Sequence, residues 1–122
     1  MRILNTIQKR EKLNRVVAVD ERGNGSANHL YEIYAEPVET DSRLMGRIQL
    51  QNGARKEDDS IHGIIDSDLL EIVRDRLISF QSGTFASEYN AKALEHVELA
   101  LMYLNRRVED RIERNVLGKN EK

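Results

Sequence analysis

One run of apolar residues in the C-terminal half constrains the fold of this chain more than any other feature. Its members follow one another at spacings of three and four residues: Leu94, Val97, Leu101, Leu104, Val108 and Ile112. This spacing puts all of them on one side of an α-helix, over roughly five turns. With Ser87 as an N-terminal cap and Gly118 as the stop, it predicts a helix over residues 87–116, about 40 Å long.

A helix of that length exceeds what a 122-residue globule needs for its own core, which suggests that its far end packs against another chain. A shorter helix is predicted before it, at residues 67–82, from apolar residues that also recur at helical spacing. These are Leu70, Val73, Leu77 and Phe80. One of Asp66, Ser67 and Asp68 is expected to cap this helix, and Gly83 is expected to end it.

The first half of the chain has the two-residue alternation of β-strands instead. Four strands are predicted, at residues 15–20, 29–36, 46–51 and 60–65. Asn52-Gly53 indicates a tight turn, and Pro37, the only proline, is expected to end the second strand. Residues 1–13 are expected to form a short helix or an ordered arm.

Together these elements predict an α+β fold with an N-terminal antiparallel β-sheet packed on two C-terminal helices, the last one long. Short turns between strands that are close in sequence favour the antiparallel arrangement. The length fits one domain over residues 1–122, with 1–66 mainly strands and turns and 67–118 a helical hairpin.

Composition excludes several classes of function. The net charge of −2 lacks the basic excess of a general DNA or RNA binder. The chain has no cysteine, which excludes disulfides and thiolate metal sites. No apolar run is long enough for a signal peptide or a membrane span, so we expect a cytoplasmic protein without a membrane partner.

The sequence contains no recognisable catalytic, metal or cofactor motif. The three histidines, His29, His62 and His96, lie at no recognised metal-ligand spacing. Gly23 and Gly25 lack the Gly-Lys-Ser/Thr of a phosphate-binding loop. The sequence therefore favours ligand binding over catalysis, with no catalytic residue, no metal and no cofactor.

Four arginines crowd the distal half of the long helix: Arg106, Arg107, Arg111 and Arg114. A guanidinium can hold a phosphate with two parallel hydrogen bonds. The same arginines can instead pair at the surface with the interleaved acids Glu109, Asp110 and Glu113. The pattern alone leaves both interpretations open.

Residues 80–90 form a second candidate, since both phenylalanines of the chain, Phe80 and Phe85, lie in this turn between the helices. They either fill the corner between the helices or supply a ring that stacks on a planar base. The Asn90 amide could then contact a polar edge of that base. A third candidate is the basic pair Arg55-Lys56, beside the Asn52-Gly53 turn, which suits either a phosphate contact or an ordinary hairpin end.

The string IVRDRLISFQSGTFASEYNAKALEHVELALMYLNRRVEDR, residues 72–111, resembles the C-terminal signature of the Thoeris anti-defence sponge family of phage proteins. The upstream QNGARKE, residues 51–57, is similar to that family's Gln-Asn-Gly turn and its basic continuation. The resemblance covers residues 48–118. It departs from the family where residues 55–60 read RKEDDS, in place of an apolar run with glycine.

The resemblance implies a protein that sequesters cyclic ADP-ribose isomers without cleaving them, in the cytoplasm of the infected host. It implies homodimers that assemble into hexamers, with ligand pockets between subunits. Phe80 matches the base-stacking aromatic, Asn90 the polar contact and Arg107 the phosphate-binding arginine. Arg22 is expected to reach a neighbouring subunit's pocket.

Arg55 and Lys56 match a second site, for cyclic di- or trinucleotides. Two alternatives remain beside the sponge. One is an enzyme that degrades the same signals, with Glu88, Tyr89 or His96 as its reacting group. The other is an oligomeric protein-binding module that uses Leu101 and Leu104.

Overall fold

The computed structural model describes residues 1–36 and 43–120, and the chain divides into two compact units, Met1–Ile64 and Ile65–Lys122. The first unit contains a four-stranded antiparallel sheet and the second contains two helices, the last one longer. This confirms the predicted α+β class. Pro37, predicted to end a strand, lies outside the described residues.

The sheet consists of β1 (Arg2–Ile3), β2 (Asn14–Ala18), β3 (Leu30–Ala35) and β4 (Leu44–Gln49), which lie side by side in that order. Each strand runs antiparallel to its neighbour. Three of these strands lie close to the predicted segments 15–20, 29–36 and 46–51. The pairing of Arg15 with Tyr34 and of Val16 with Ile33 alternates the β3 side chains between the two faces of the sheet, as expected from period two.

The predicted strand at residues 60–65 is wrong. That segment makes only two isolated bridges, Ile61 with Asn52 and Ile64 with Leu50, and the second is parallel to its partner. Between them the backbone N–H of Gly63 donates to the side-chain Oε1 of Gln51 at 3.1 Å, so a side chain replaces a strand partner there. The fourth strand of the sheet comes from the N-terminal segment, which is an arm and not a helix.

Asn52-Gly53 does not form the predicted tight turn. Asn52 pairs with Ile61, Gly53 only bends the chain, and the turns of the loop between them lie at residues 55–56 and 58–59. Gly53 has a φ of +94° that favours glycine. The loop between β2 and β3 contacts this bend, because Asn24 Nδ2 donates to Asn52 Oδ1 at 2.8 Å. A one-turn 3-10 helix, Asn24–Ser26, shapes the loop.

The base of the same loop is held by Asp20 and the buried Asn28. The His29 N–H donates to both Asp20 carboxylate oxygens, at 3.2 and 3.0 Å. Asn28 donates to the Asp20 carbonyl and accepts from the Arg2 guanidinium at 2.7 Å, which joins β1 to the loop. Burial tends to raise the pKa of Asp20, but hydrogen bonds from His29, Leu30 and Asn28 outweigh it, and the pKa falls below its ordinary value.

The second unit contains α1 (Asp66–Gln81) and α2 (Glu88–Glu113), close to the predicted ranges 67–82 and 87–116. Asp68 Oδ2 accepts from the Ile65 N–H at the start of α1. Ser87 caps α2 as predicted, by accepting from the Asn90 N–H at 3.0 Å. Arg74 of α1 donates to Glu98 of α2 at 2.9 Å and links the two helices.

The long helix ends earlier than predicted, at Glu113 and not near residue 116. Asn115 takes a left-handed conformation with a φ of +57°, which asparagine tolerates better than most residues and which ends a helix. Gly118 also has a positive φ, but it lies beyond the helix, in the following turn. Neither helix contains a buried residue. Within residues 1–36 and 43–120, no helix is apolar enough over a sufficient length to cross a membrane.

Gly63→Ala is expected to destabilise the first unit by roughly 1–3 kcal/mol, the range typical of overpacking. An added Cβ at Gly63 would lie 2.4 Å from the carbonyl oxygen of Gln49 and 2.6 Å from the carbonyl carbon of Leu50, both backbone atoms that cannot simply rotate away. Urea denaturation gives the free energy of unfolding. Gly46→Ala is the matched control, since its Cβ meets nothing within 4 Å. Equal stability of the two variants would contradict the close approach.

Asp20→Asn is expected to lower stability at neutral pH and to lose this effect in acid. The pKa of Asp20 is depressed in the folded chain, so its charged form stabilises the fold above its ordinary pKa of 3.8, and that contribution disappears as the pH falls below it. Urea denaturation at several pH values between 7 and 3 measures the difference between the variant and the unchanged chain. The exposed Asp58→Asn serves as a control. A difference that stays constant with pH would contradict the carboxylate's role.

Candidate ligand-binding site

The turn between α1 and α2 is held by a side-chain amide that bridges it. Gln81, the last residue of α1, donates from Nε2 to the Ser87 carbonyl at 3.1 Å and accepts from the Ser87 N–H at 2.9 Å. Asn90 Nδ2 donates to the Phe85 carbonyl at 3.1 Å. The two ends of the segment 80–90 are therefore fixed relative to each other by side chains on both helices.

The two phenylalanines of this segment contact each other. Their ring centroids lie 6.3 Å apart with an interplanar angle of 74°, an edge-to-face arrangement. Phe80 is half-buried, whereas Phe85 is 75% exposed. A ring as exposed as that of Phe85 does not fill the corner between the helices. Of the two phenylalanines, only Phe80 is partly packed against its surroundings.

Arg76 lies on the same side of α1 as Phe80, one helical turn earlier. Its guanidinium carbon is 5.2 Å from the centroid of the Phe80 ring, within cation–π distance. Arg76 is not among the residues that the sequence predicts for the site. Its spacing of four residues from Phe80 is the only feature of the sequence that indicates this contact.

Asn90 has a fixed side-chain orientation. One of its amide hydrogens is used by the Phe85 carbonyl, and within the described part of the chain its Oδ1 accepts no hydrogen bond. The side chain is half-buried at the first turn of α2. It therefore presents a carbonyl oxygen and one remaining N–H to a ligand without first having to be ordered.

The four arginines of α2 differ in their contacts. The sequence pattern alone does not show which of them pair with neighbouring acids and which do not. Arg114 pairs with Asp110 at 3.3 Å. Arg111 donates to the carbonyl oxygens of Val116 and Lys119 and so holds the segment after the helix. Arg106 and Arg107 are exposed and, among the described residues, have neither an ion pair nor a hydrogen bond. Surface pairing thus accounts for Arg114, but not for Arg107.

Arg107 is remote from the other two predicted residues of its site within one chain. Seventeen residues of continuous helix separate it from Asn90, which corresponds to about 25 Å along the axis. One small ligand does not span that distance. The structure therefore brings Phe80 close to the start of α2, where Asn90 lies, but it does not bring Arg107 to them in a single chain.

Arg22, Arg55 and Lys56 all belong to the first unit and are exposed. The loop that carries Arg22 contacts the segment before Arg55 through the Asn24–Asn52 hydrogen bond. An added Cβ at Gly23, next to Arg22, would lie 3.4 Å from the Asn52 side chain. The three basic residues thus lie on two loops in mutual contact.

A shallow groove runs along α2 beside the end of α1, with a volume of about 430 Å³. It is lined by Gln81, Ala91, Leu94, Glu95, Glu98, Leu99 and Met102. Glu88, Tyr89 and His96, which the enzyme alternative requires, are all exposed and none of them lines it. Within the described residues no group of three or more acids and histidines could hold a metal ion.

The comparison with known proteins covers β4, the loop after it and most of the helical hairpin. The family model of the Acb2/Tad1 hairpin domain matches residues 45–109, just over half of the chain. Thoeris anti-defense 1 of Bacillus phage SBSphiJ7 is 41% identical over 61 residues, which make up 50% of this chain and 43% of that protein. The match thus spans less than half the length of this relative. On the strength of residues 45–109, this chain belongs to the Acb2/Tad1 hairpin-domain family.

Proposed function

We propose that this protein is a phage anti-defence sponge, which binds cyclic ADP-ribose isomers and holds them without cleavage in the cytoplasm of the infected host. By removing the signal, it prevents activation of the Thoeris effector. The relative's name, Thoeris anti-defense 1, supports the defence system as the target. The observation that carries the proposal is that Arg107 has no partner among the described residues, although acidic residues lie near it along the same helix.

The chemistry of the three residues matches the parts of such a ligand. A cyclic ADP-ribose isomer has a purine, two riboses and a pyrophosphate. Phe80 supplies a ring for the purine, Asn90 a fixed amide for a polar edge, and Arg107 an unpaired guanidinium for the pyrophosphate. Because none of them is a nucleophile or a base suited to hydrolysis, the same set supports binding without turnover.

The separation of Asn90 and Arg107 supports a site shared by two subunits. If two α2 helices lie antiparallel with Asn90 of one beside Arg107 of the other, the midpoint of the pairing falls between Glu98 and Leu99. Exposed apolar side chains flank that point: Leu99 is 43% exposed, Met102 62% and Tyr103 72%. A homodimer paired in this antiparallel way would contain two identical sites, and dimers would assemble further into hexamers.

A shared site also accounts for the affinity that a sponge requires. Nanomolar binding corresponds to about 12 kcal/mol, whereas a charged hydrogen bond contributes roughly 1.5–3 kcal/mol and a stacked base roughly 1–3 kcal/mol. The remainder must come from enclosing most of the ligand's surface. The open groove on a single hairpin does not enclose a ligand, but a second subunit would.

Arg55 and Lys56 are proposed to bind a cyclic di- or trinucleotide at a second site. Both are exposed beside a bend that Gly53 and the Asn24–Asn52 hydrogen bond hold in place. The contact between this bend and the loop of Arg22 makes Arg22 a further cation for this site, or for a neighbouring subunit's pocket as the resemblance implies.

The ligand is expected to leave the protein unchanged. The protein is saturated with glycocyclic ADP-ribose, washed and denatured, and the released small molecules are separated by chromatography and weighed by mass spectrometry. Recovery of the intact isomer in proportion to the protein supports sequestration. Recovery of linear ADP-ribose or another cleavage product would show that the protein is an enzyme.

Arg107→Ala is expected to weaken binding of glycocyclic ADP-ribose by roughly 10- to 100-fold, the loss typical of a charged hydrogen-bond pair. Calorimetric titration measures the dissociation constant, and light scattering checks that the assembly persists. Arg106→Ala is the matched control, since Arg106 is also exposed and also without a partner among the described residues. Equal losses in the two variants would indicate general attraction of an anion and would contradict a specific contact.

Mixing two inactive variants tests whether the site is shared. Phe80→Ala and Arg107→Ala chains, denatured together and refolded, should recover about a quarter of the tight sites, because half the dimers are mixed and each has one intact pocket. Each variant refolded alone should recover none. If the mixture also recovers none, Phe80 and Arg107 act within one subunit.

A further inference from the structure

Phe80 cannot stack on a base from the side where Arg76 lies, because that face of its ring is covered. The Arg76 guanidinium carbon is 5.2 Å from the ring centroid, and Phe85 lies edge-to-face with the same ring. A purine stacks on the flat face of an aromatic ring. A base that stacks on the Arg76 side of the ring must therefore first displace the guanidinium.

Arg76 is held weakly in this position. Among the described residues its guanidinium makes no hydrogen bond and no ion pair, so the contact with the Phe80 ring is what holds it there. Arg74, two residues earlier, differs sharply, since it donates to Glu98 at 2.9 Å and to Glu71 at 3.5 Å. An exposed cation–π contact is also weaker than the stacking of a base on an aromatic ring.

We propose that Arg76 is a further ligand-binding residue: a planar base displaces its guanidinium from the Phe80 ring, and the freed guanidinium then binds a phosphate of the same ligand. The inference rests on the proposed sponge function and adds a residue to its site. The flexible stem of an arginine one helical turn from Phe80 lets its charged end remain beside whatever the ring holds. The ligand class it selects is a nucleotide with both a base and a pyrophosphate.

In this arrangement, each of the two subunits that form the pocket supplies one cation. Arg107 lies about 25 Å along α2 from Asn90, so it reaches the ligand from another subunit under the proposed pairing. Arg76 belongs to the same subunit as Phe80. A pyrophosphate carries two negative charges, and one guanidinium from each subunit would pair with both.

Arg76→Met tests the inference, because methionine keeps an apolar stem over Phe80 and removes the charge. Its affinity for glycocyclic ADP-ribose in calorimetric titration is expected to fall roughly 10- to 100-fold, with a weaker dependence on salt concentration. Its weak binding of adenosine, which has no phosphate, is expected to stay within about twofold. Arg76→Lys is expected to recover part of the loss, since it restores the charge but not the planar fork.

Arg74→Met is the control on the same helix with the same change in charge, and its affinity is expected to stay within about twofold, because the Arg74 guanidinium is already held by two carboxylates. The inference would be overturned if Arg76→Met bound glycocyclic ADP-ribose as tightly as the unchanged protein or more tightly. It would also be overturned if the variant lost equal affinity for glycocyclic ADP-ribose and for adenosine. Failure of the unchanged protein to bind glycocyclic ADP-ribose would overturn the proposed function as well. A loss in Arg107→Ala with none in Arg76→Met would overturn this inference alone.

Discussion

Two hydrogen bonds between the Gln81 amide and the backbone of Ser87 set the path of the chain from α1 into α2. Ser87 also caps α2 through the Asn90 N–H, and Phe80 directly precedes Gln81. The positions of both predicted base-contacting residues therefore depend on this link. Because the amide both donates and accepts, no residue other than glutamine or a close relative in shape could make both bonds from that position.

The helices of the second unit are only partly covered. Five members of the apolar stripe on α2 are half-buried, yet neither helix contains a buried residue. Leu99, Met102 and Tyr103 are exposed on other sides of the same helix. Exposed apolar surface of this extent usually marks a contact with another protein, which supports the proposal that the chain assembles with further copies of itself.

Periodicity predicted the elements that depend on it most strongly. Both helices and three strands were placed within a few residues, because their apolar positions repeat at regular spacing and Ser87 marks a helix start. The strand predicted at residues 60–65 is wrong because the alternating pattern there is short. The Gly63 N–H donates to the side chain of Gln51, a hydrogen bond that the spacing of apolar residues does not reveal. The two-residue strand β1 is too short to produce a pattern at all. The end of α2 was missed because the left-handed conformation falls on Asn115 and not on a glycine.

For the candidate site, too, the sequence predicts some features and not others. The residue pattern indicates the segment 80–90 and the arginines of α2, and the resemblance singles out Phe80, Asn90 and Arg107 among them. Whether these side chains are free or engaged depends on contacts in space that the sequence does not specify. The four arginines of α2 show this most clearly, since the residues are chemically identical and only the positions of Asp110 and of the Val116 and Lys119 carbonyls separate them. Only a spacing of four residues relates Arg76 to Phe80 in the sequence, and that spacing alone does not indicate a cation–π contact.

The distance between Asn90 and Arg107 has a kinetic consequence for the proposed site. When a complete pocket requires two chains, the number of pockets at low expression rises with the square of the chain concentration rather than in proportion to it. Newly made chains would capture little signal until their concentration passes the dissociation constant of the dimer, and capture would then rise steeply. The timing of protection during infection would thus be set by subunit association as much as by the affinity of the finished pocket.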